Sequence, residues 1–363
     1  MKANFFKLTA SFVAVCGLTG SAMAQSNVTV TGLMDAYAGS LKYAGDEHRV
    51  SAVNSGGMTT SWVGFKGSED LGGGLKAKFA LTSFLRLDTG ASGRFPGNET
   101  MWSRDANVGL AGSFGSFSIG RDLSPEFLPS ILFNPFGDSF TFSPLILQMN
   151  VPLFNASGWS PSVVGDTGWS NEIIYSTPDM GGLSANVHYQ AGEDANNKGK
   201  HNAGANVLYF HGPLALTAFV HSVKVNNPLD TPSGNVQPGG AIPLASGLSA
   251  ARQTAWMLGG SYDFDVVKAF ATYGQTSHDI DLKDKLISLG ASVPVGQGKI
   301  LLAWAQTDRS GDAIGDSLKR NTLSLGYDYN LSKRTDVYGI VMNDKITSQS
   351  SGTSLGIGIR HSF

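Results

Sequence analysis

The chain has 363 residues, with 26 Lys plus Arg against 28 Asp plus Glu, seven His and one Cys. A balance so close to neutral excludes a nucleic-acid binder built on a basic stripe, and a single cysteine excludes a disulfide framework. Gly supplies 46 residues, well above ordinary usage. Mean hydropathy is near zero and no apolar run approaches the roughly 20 residues of a membrane helix, so a membrane-spanning form of this chain must be a barrel.

Residues 1–24 read as an export signal. Lys2 and Lys7 open it, residues 8–18 form a short apolar run, and Ala22-Met23-Ala24 is a small-x-small cleavage site, so the mature chain is expected to begin at Gln25. The run is too short to span a bilayer as a helix. Two alternatives are weaker, a short buried helix and a lipoprotein. A lipoprotein anchored at Cys16 would need a small residue where Val15 stands. Cleavage removes the only cysteine and two lysines. The mature chain then carries 24 basic and 28 acidic residues.

Residues 61–121 hold the clearest pattern. Four short segments alternate apolar with polar residues, and turn chemistry separates them. In the second, Ala77, Phe79, Leu81, Leu85 and Leu87 share one parity, while Lys76, Lys78, Thr82, Arg86 and Asp88 share the other. On a strand this makes one greasy and one charged face. A protein core or a lipid would each accept the greasy face. The connections favour lipid, because short ones (69–74, 113–115) alternate with long ones (90–100, and everything after 121), as in outer-membrane barrels. Lys66, Lys76, Lys78, Arg86, Asp35 and Asp105 then point inward.

The same stretch carries a resemblance. GFKGSEDLGGGLKAKF at 64–79, followed by Arg104-x-Ala106 and VGL-x-G-x-FG-x-x-x-x-GR ending at Arg121, resembles the N-terminal signature of the trimeric general porins of Gram-negative bacteria. VTVTGLMDAY at 28–37 and GIRHSF at 358–363 extend it weakly to both ends. The resemblance implies an all-β fold: a transmembrane antiparallel barrel of 16 strands, residues 25–363, assembled as a homotrimer with a long third loop folded into the pore. It also implies passive diffusion of small solutes and ions, with outer-membrane lipid, lipopolysaccharide and the barrel-assembly machinery as partners, and no cofactor.

Strand candidates along the chain fall at 28–39, 59–67, 75–89, 101–112, 116–121, 170–176, 183–191, 202–210, 214–225, 252–264, 266–277, 285–293, 299–307, 321–329, 336–347 and 352–363. Spread over 16 strands, the mature chain allows about 21 residues for each strand and connection, which suits tilted spanning strands of roughly 10 residues. The Pro- and Gly-rich residues 226–247 read as a long external loop. At the C-terminus Leu355, Ile357, Ile359 and Phe363 share a parity, and the terminal Phe363 resembles the signal read by the outer-membrane assembly machinery.

Two motifs imitate hydrolases. Gly315-Asp316-Ser317-Leu318 matches a serine-hydrolase motif, but no Asp-x-x-His follows. Gly352-Thr353-Ser354-Leu355-Gly356 matches a nucleophile elbow, but it lies in the last strand with no acid after it. The histidines show no metal-ligand spacing. No enzyme is expected.

Residues 122–169 are too long for an ordinary loop. They contain Pro135-Phe136-Gly137-Asp138, which resembles the motif of the infolded third loop, and they are expected to form the constriction. Asp122, Glu126 and Asp138 are expected to face basic residues across the pore, with Arg121 where the loop leaves the wall. The chain departs from the family pattern at three lumenal positions. Trp62 stands where Arg is usual before Gly-Phe-Lys-Gly, Thr82 where Glu is usual, and Ile174 where Arg is frequent. With the loop's Phe127, Leu128, Ile131, Leu132, Phe133 and Phe136, these departures suggest a less charged constriction favouring small organic solutes. Arg104 shares parity with Ala106 and Val108, which points it at lipid unless a bulge intervenes.

Overall fold

The computed structural model describes residues 27–94, 99–150, 167–193, 201–224, 252–279, 281–312 and 316–363. The export signal and residues 226–247 lie outside the described residues. In chain order the elements are β1 (Asn27–Leu41), β2 (Val50–Ser55), β3 (Trp62–Gly72), β4 (Leu75–Phe84), β5 (Asp105–Gly112), β6 (Gly115–Leu123), α1 (Phe127–Leu132), α2 (Pro144–Met149), β7 (Gly168–Ser176), β8 (Leu183–Gln190), β9 (Asn202–His211), β10 (Leu214–Val223), β11 (Gln253–Asp263), β12 (Lys268–His278), β13 (Leu282–Val295), β14 (Gly298–Ser310), β15 (Leu318–Asn330), β16 (Thr335–Ile346) and β17 (Gly352–Ser362).

Each strand pairs antiparallel with its neighbours, and β17 returns to β1 with Leu33 opposite Ser362 and Ser40 opposite Leu355. The sheet is therefore closed. β2 and β3 both lie along β1, one opposite residues 36–41 and the other opposite 27–33. They are two halves of one strand, so the barrel has sixteen strands. Alternation decides which face each side chain takes. Val108 (61% exposed) and Ile357 (74%) are among many large apolar residues on the outside, as in a barrel whose solvent is hydrocarbon. In the turn between β3 and β4, Gly72, Gly73 and Gly74 all have positive φ, 84°, 62° and 80°, which only glycine adopts without strain.

The expected strand at 59–67 differs from the structure. Its strand begins at Val50, breaks after Ser55, and resumes at Trp62. Between these, residues 56–61 step off the wall towards the interior, and Gly56 has φ 76°. The side chain that holds them is Asp35. Its carboxylate accepts from the amides of Gly57 (3.1 Å), Met58 (2.8 Å) and Thr59 (2.8 Å) and from the Tyr338 hydroxyl. The residues are thus an insertion inside the barrel, and a pattern of alternation cannot detect them. The expected 75–89 also ends early, at Phe84, and 101–112 starts late, at Asp105.

Asp35→Ala would leave three buried amides without an acceptor, at about 1–3 kcal/mol each. Asp35→Asn keeps one acceptor and should cost less. Urea unfolding of the folded barrel, followed by tryptophan fluorescence, should place the midpoints in the order wild type, Asn, Ala.

Candidate pore constriction

After β6 the chain turns into the barrel. Ser124, Glu126 and Ser130 are buried, α1 follows, then Pro135-Phe136-Gly137-Asp138, then α2. The start of α2 is specified locally. Ser143 is its N-cap and accepts from the Ile146 amide, and Pro144 occupies the first turn, where a missing N–H costs nothing.

The apolar residues of the loop face the wall. Phe136, Phe142 and Ile146 are fully buried with Tyr37, Leu301, Ala303, Tyr338, Ile340 and Met342. Leu145 and Met149 pack on Phe219, Met257 and Leu286. At roughly 1.5–3 kcal/mol for each large side chain buried, this contact holds the loop inside. Hydrogen bonds fix its position. Gln148 donates to Ala305 O (2.9 Å) and Thr322 Oγ1 (3.0 Å) and accepts from Thr307 Oγ1 (2.7 Å). Ser324 Oγ donates to Phe142 O at 2.7 Å, and Ser139 Oγ to Gly57 O at 2.6 Å. The inserted residues 56–61 are thus a seat for the loop. The density of apolar residues in the loop is explained by anchoring to the wall. Of the large apolar side chains on α1, Leu132 keeps a free face, being 41% exposed.

On the wall, β3, β4 and β5 bring four of the expected residues together. Asp105 accepts from Thr82 Oγ1 at 2.7 Å and lies 4.0 Å from Lys66 Nζ. The ring of Trp62 lies 5.8 Å from Lys66 Nζ and 4.1 Å from the Arg104 guanidinium. Arg104 also pairs with Asp105. It precedes β5, so strand parity does not constrain it, and it points to this cluster and not to lipid. Lys78, Asp122, Ile174 and His188 line a recess of about 270 Å³ beside the loop root. Asp122 accepts from Asn107 Nδ2 at 3.0 Å. Lys76 sits a pair of residues nearer the short turn, opposite Ala111. Arg86 lies beyond the end of β4, half-buried, its amide donating to Ala91 O.

Glu126 and Arg121 take other places, whereas Asp138 does share a space with basic residues. Glu126 meets no basic residue across the pore: it is fully buried, accepts from Ser124 Oγ at 2.7 Å, and lies 3.5 Å from His221 Nδ1. Arg121 is at the loop root as expected, but it is buried and donates to Ser103 O, Gly168 O and Ser170 Oγ. It pairs with Ala106 at the outward parity. Asp138 is part of a second recess, of about 310 Å³, at the loop tip. Burial raises its carboxyl above the usual range, against the lowering pull of a Thr59 hydrogen bond. Phe363 exchanges backbone hydrogen bonds with Gly32, 3.1 and 3.0 Å, and its ring is 42% exposed.

That second recess also contains Lys268, Phe270, Lys299, Asp328 and Arg360, which the sequence reading did not single out. The signal was present. Lys268 shares parity with Phe270 and Thr272, Lys299 with Leu301, and Arg360 with Gly358, all on the face opposite Ile300, Tyr273 and Ile359.

A family model described as Gram-negative porin matches residues 9–348. Outer membrane porin protein 32 of Delftia acidovorans is 32% identical, over 97% of this chain and 98% of that protein. Among solved structures, an anion-selective porin from Comamonas acidovorans superposes with a TM-score of 0.73 at 28% identity, covering 93% of this chain and all of that one. The trimer form of OmpT, an outer membrane protein of Vibrio cholerae, shares the fold with a TM-score of 0.64 at 15% identity.

Phe142→Ala should loosen the loop without opening the barrel, because it removes a large buried side chain from the loop–wall contact (about 3–5 kcal/mol of packing) and none from the sheet. Hydrogen exchange should show faster exchange at the amides of α2 with β14 and β15 unchanged.

Proposed function

Since the chain belongs to the Gram-negative porin family, we propose that this outer-membrane porin passes small hydrophilic solutes and ions down their gradients with a preference for anions, narrowed by the loop at 122–169. The observation that carries the preference is the charge of the inner half of the wall. Lys66, Lys76, Lys78, Lys268, Lys299 and Arg360 all take the lumenal parity. Among the described residues Lys76, Lys78 and Lys268 have no carboxylate partner. Of the lumenal acids, Asp105 is paired with Arg104 and Lys66, Asp328 with Lys299 and Arg360, and Asp336 with Arg360, so the cations left over stand against Asp122 and Asp138. Fixed charge of one sign in a narrow lumen sets selectivity, and it acts over the roughly 10 Å Debye length of 0.1 M salt. The anion selectivity of the solved relative supports the same reading.

The pore-lining set is Trp62, Lys66, Lys76, Lys78, Thr82, Asp105, Asp122, Asp138 and Ile174, with Arg104 added. Trp62 and Leu132 give the narrow part an apolar component and favour small organic solutes. A homotrimer is supported by the trimeric form known for a protein of the same fold. The barrel-assembly machinery would read Phe363. Outer-leaflet lipopolysaccharide would meet Lys283, Lys285, Lys319 and Lys345, four exposed residues at the outward parity near the loop ends of β13, β15 and β16.

Three measurements check this. In planar bilayers under a salt gradient the reversal potential should show anion preference, and the double variant Lys66→Glu, Lys78→Glu should move it towards cations; a cation-selective wild type would refute the reading. Deleting residues 130–154 should raise single-channel conductance, and an unchanged value in a folded variant would place the loop outside the lumen. Unheated samples should run as trimer and boiled samples as monomer on a detergent gel.

A further inference from the structure

Beneath the loop tip, the recess of about 310 Å³ has two unlike sides. One is cationic and comes from the wall: Lys268 on β12, Lys299 on β14 and Arg360 on β17. The other is apolar and comes from the loop: Leu132, Pro135 and Phe136. Phe270 on β12 joins them.

The three cations are not equivalent. Arg360 is held by Asp336 at 3.2 Å and Asp328 at 3.4 Å, and Lys299 lies 3.7 Å from Asp328. Lys268 makes no ion pair within 4 Å among the described residues: Asp263 stands opposite it on β11, but its Oδ1 accepts from the Asp265 amide. Its ammonium instead lies 5.3 Å from the centroid of the Phe270 ring. An ammonium over an aromatic face is attracted by the ring, and it keeps donors free for an anion. The recess therefore offers one uncommitted positive charge, an aromatic face next to it, and an apolar ceiling from the loop.

We propose that this recess is a docking subsite for small aromatic monocarboxylates in transit. The carboxylate would pair with Lys268, and the ring would lie between Phe270 and the Leu132–Pro135 edge of the loop. The charge balance decides between mono- and dianions. Asp138 and Asp328 line the same space, so a second carboxylate would meet like charge. The site is open to water and shares its cations with acids, so occupancy is brief. That suits conduction, which needs binding weak enough to permit release. The inference rests on the solute-passage reading above, and it places specificity on the inner side of the loop rather than at Trp62.

The test uses the full-length porin in planar bilayers with chloride as the main current carrier. Benzoate is the probe, acetate tests the contribution of the ring, and phthalate tests the second carboxylate. Benzoate should interrupt the chloride current in a concentration-dependent way, with acetate and phthalate markedly weaker. Lys268→Gln should weaken the benzoate block about tenfold, which corresponds to about 1.4 kcal/mol, and Lys268→Arg should restore most of it. Lys333→Gln removes the same charge from the exposed short turn between β15 and β16, outside the lumen, and should leave the block constant as in wild type. Equal block by benzoate and acetate would overturn the proposal, as would a block insensitive to Lys268→Gln or equally weakened by Lys333→Gln. These results would leave the channel reading intact. A wild-type protein that conducts no ions would remove both.

Discussion

Hydrocarbon offers no hydrogen bonds, and that one constraint governs this structure. Every backbone N–H and C=O in the spanning region must find a partner within the sheet, so the sheet must close. Closure is made by β1, which bonds β17 on one side and β2 and β3 on the other. The two ends of the chain are therefore adjacent in the wall, with Phe363 and Gly32 exchanging backbone bonds. Closure also separates the solvents. Each strand places alternate side chains in lipid and in the interior, and this makes lysines such as Lys66 and Lys78 affordable in a membrane.

The interior is not simply water. A barrel this wide would be a broad hole, and the third loop fills part of it by building a small hydrophobic core inside the lumen. Phe136, Phe142, Ile146 and Leu147 form that core with wall residues Tyr338, Ile340 and Met342. The wall supplies apolar side chains inward where the loop lies, from β14 to β16 and from β10, β11 and β13. The inner half, away from that contact, is polar and cationic. One surface thus serves two purposes by region: a packing face for the loop and an electrostatic face for solutes. Asp35 links them. It holds residues 56–61 off the wall, and these in turn accept hydrogen bonds from Ser139 and Thr141 of the loop.

Strand parity reads the wall well and everything inside it poorly. For Lys66, Lys78, Thr82 and Asp105 the lumenal direction follows from alternation on a regular strand, and so it would have for Lys268, Lys299 and Arg360. Arg104 stands before the strand begins, so its parity with Ala106 carried no information, and its guanidinium goes to Trp62. Glu126 is in the loop, where direction depends on His221 of β10, nearly a hundred positions away. The apolar side chains of the loop raised the same ambiguity: exposed to solutes or packed on the wall. Their partners range from Tyr37, about a hundred positions earlier, to Met342, about two hundred later, and no local pattern names them.

By itself the sequence determined the class of solution. Absence of a long apolar run, alternation with period two, and short connections alternating with long ones admit one membrane architecture, because backbone satisfaction in lipid leaves no other. It also determined which wall residues face water, since a strand has only two faces. The tertiary structure alone decided what the interior contains: where residues 56–61 leave the wall, which way the loop turns its apolar side, and which cations keep a carboxylate neighbour. These depend on contacts between distant segments brought together by closure, and a period read along the chain carries no term for distance across the barrel.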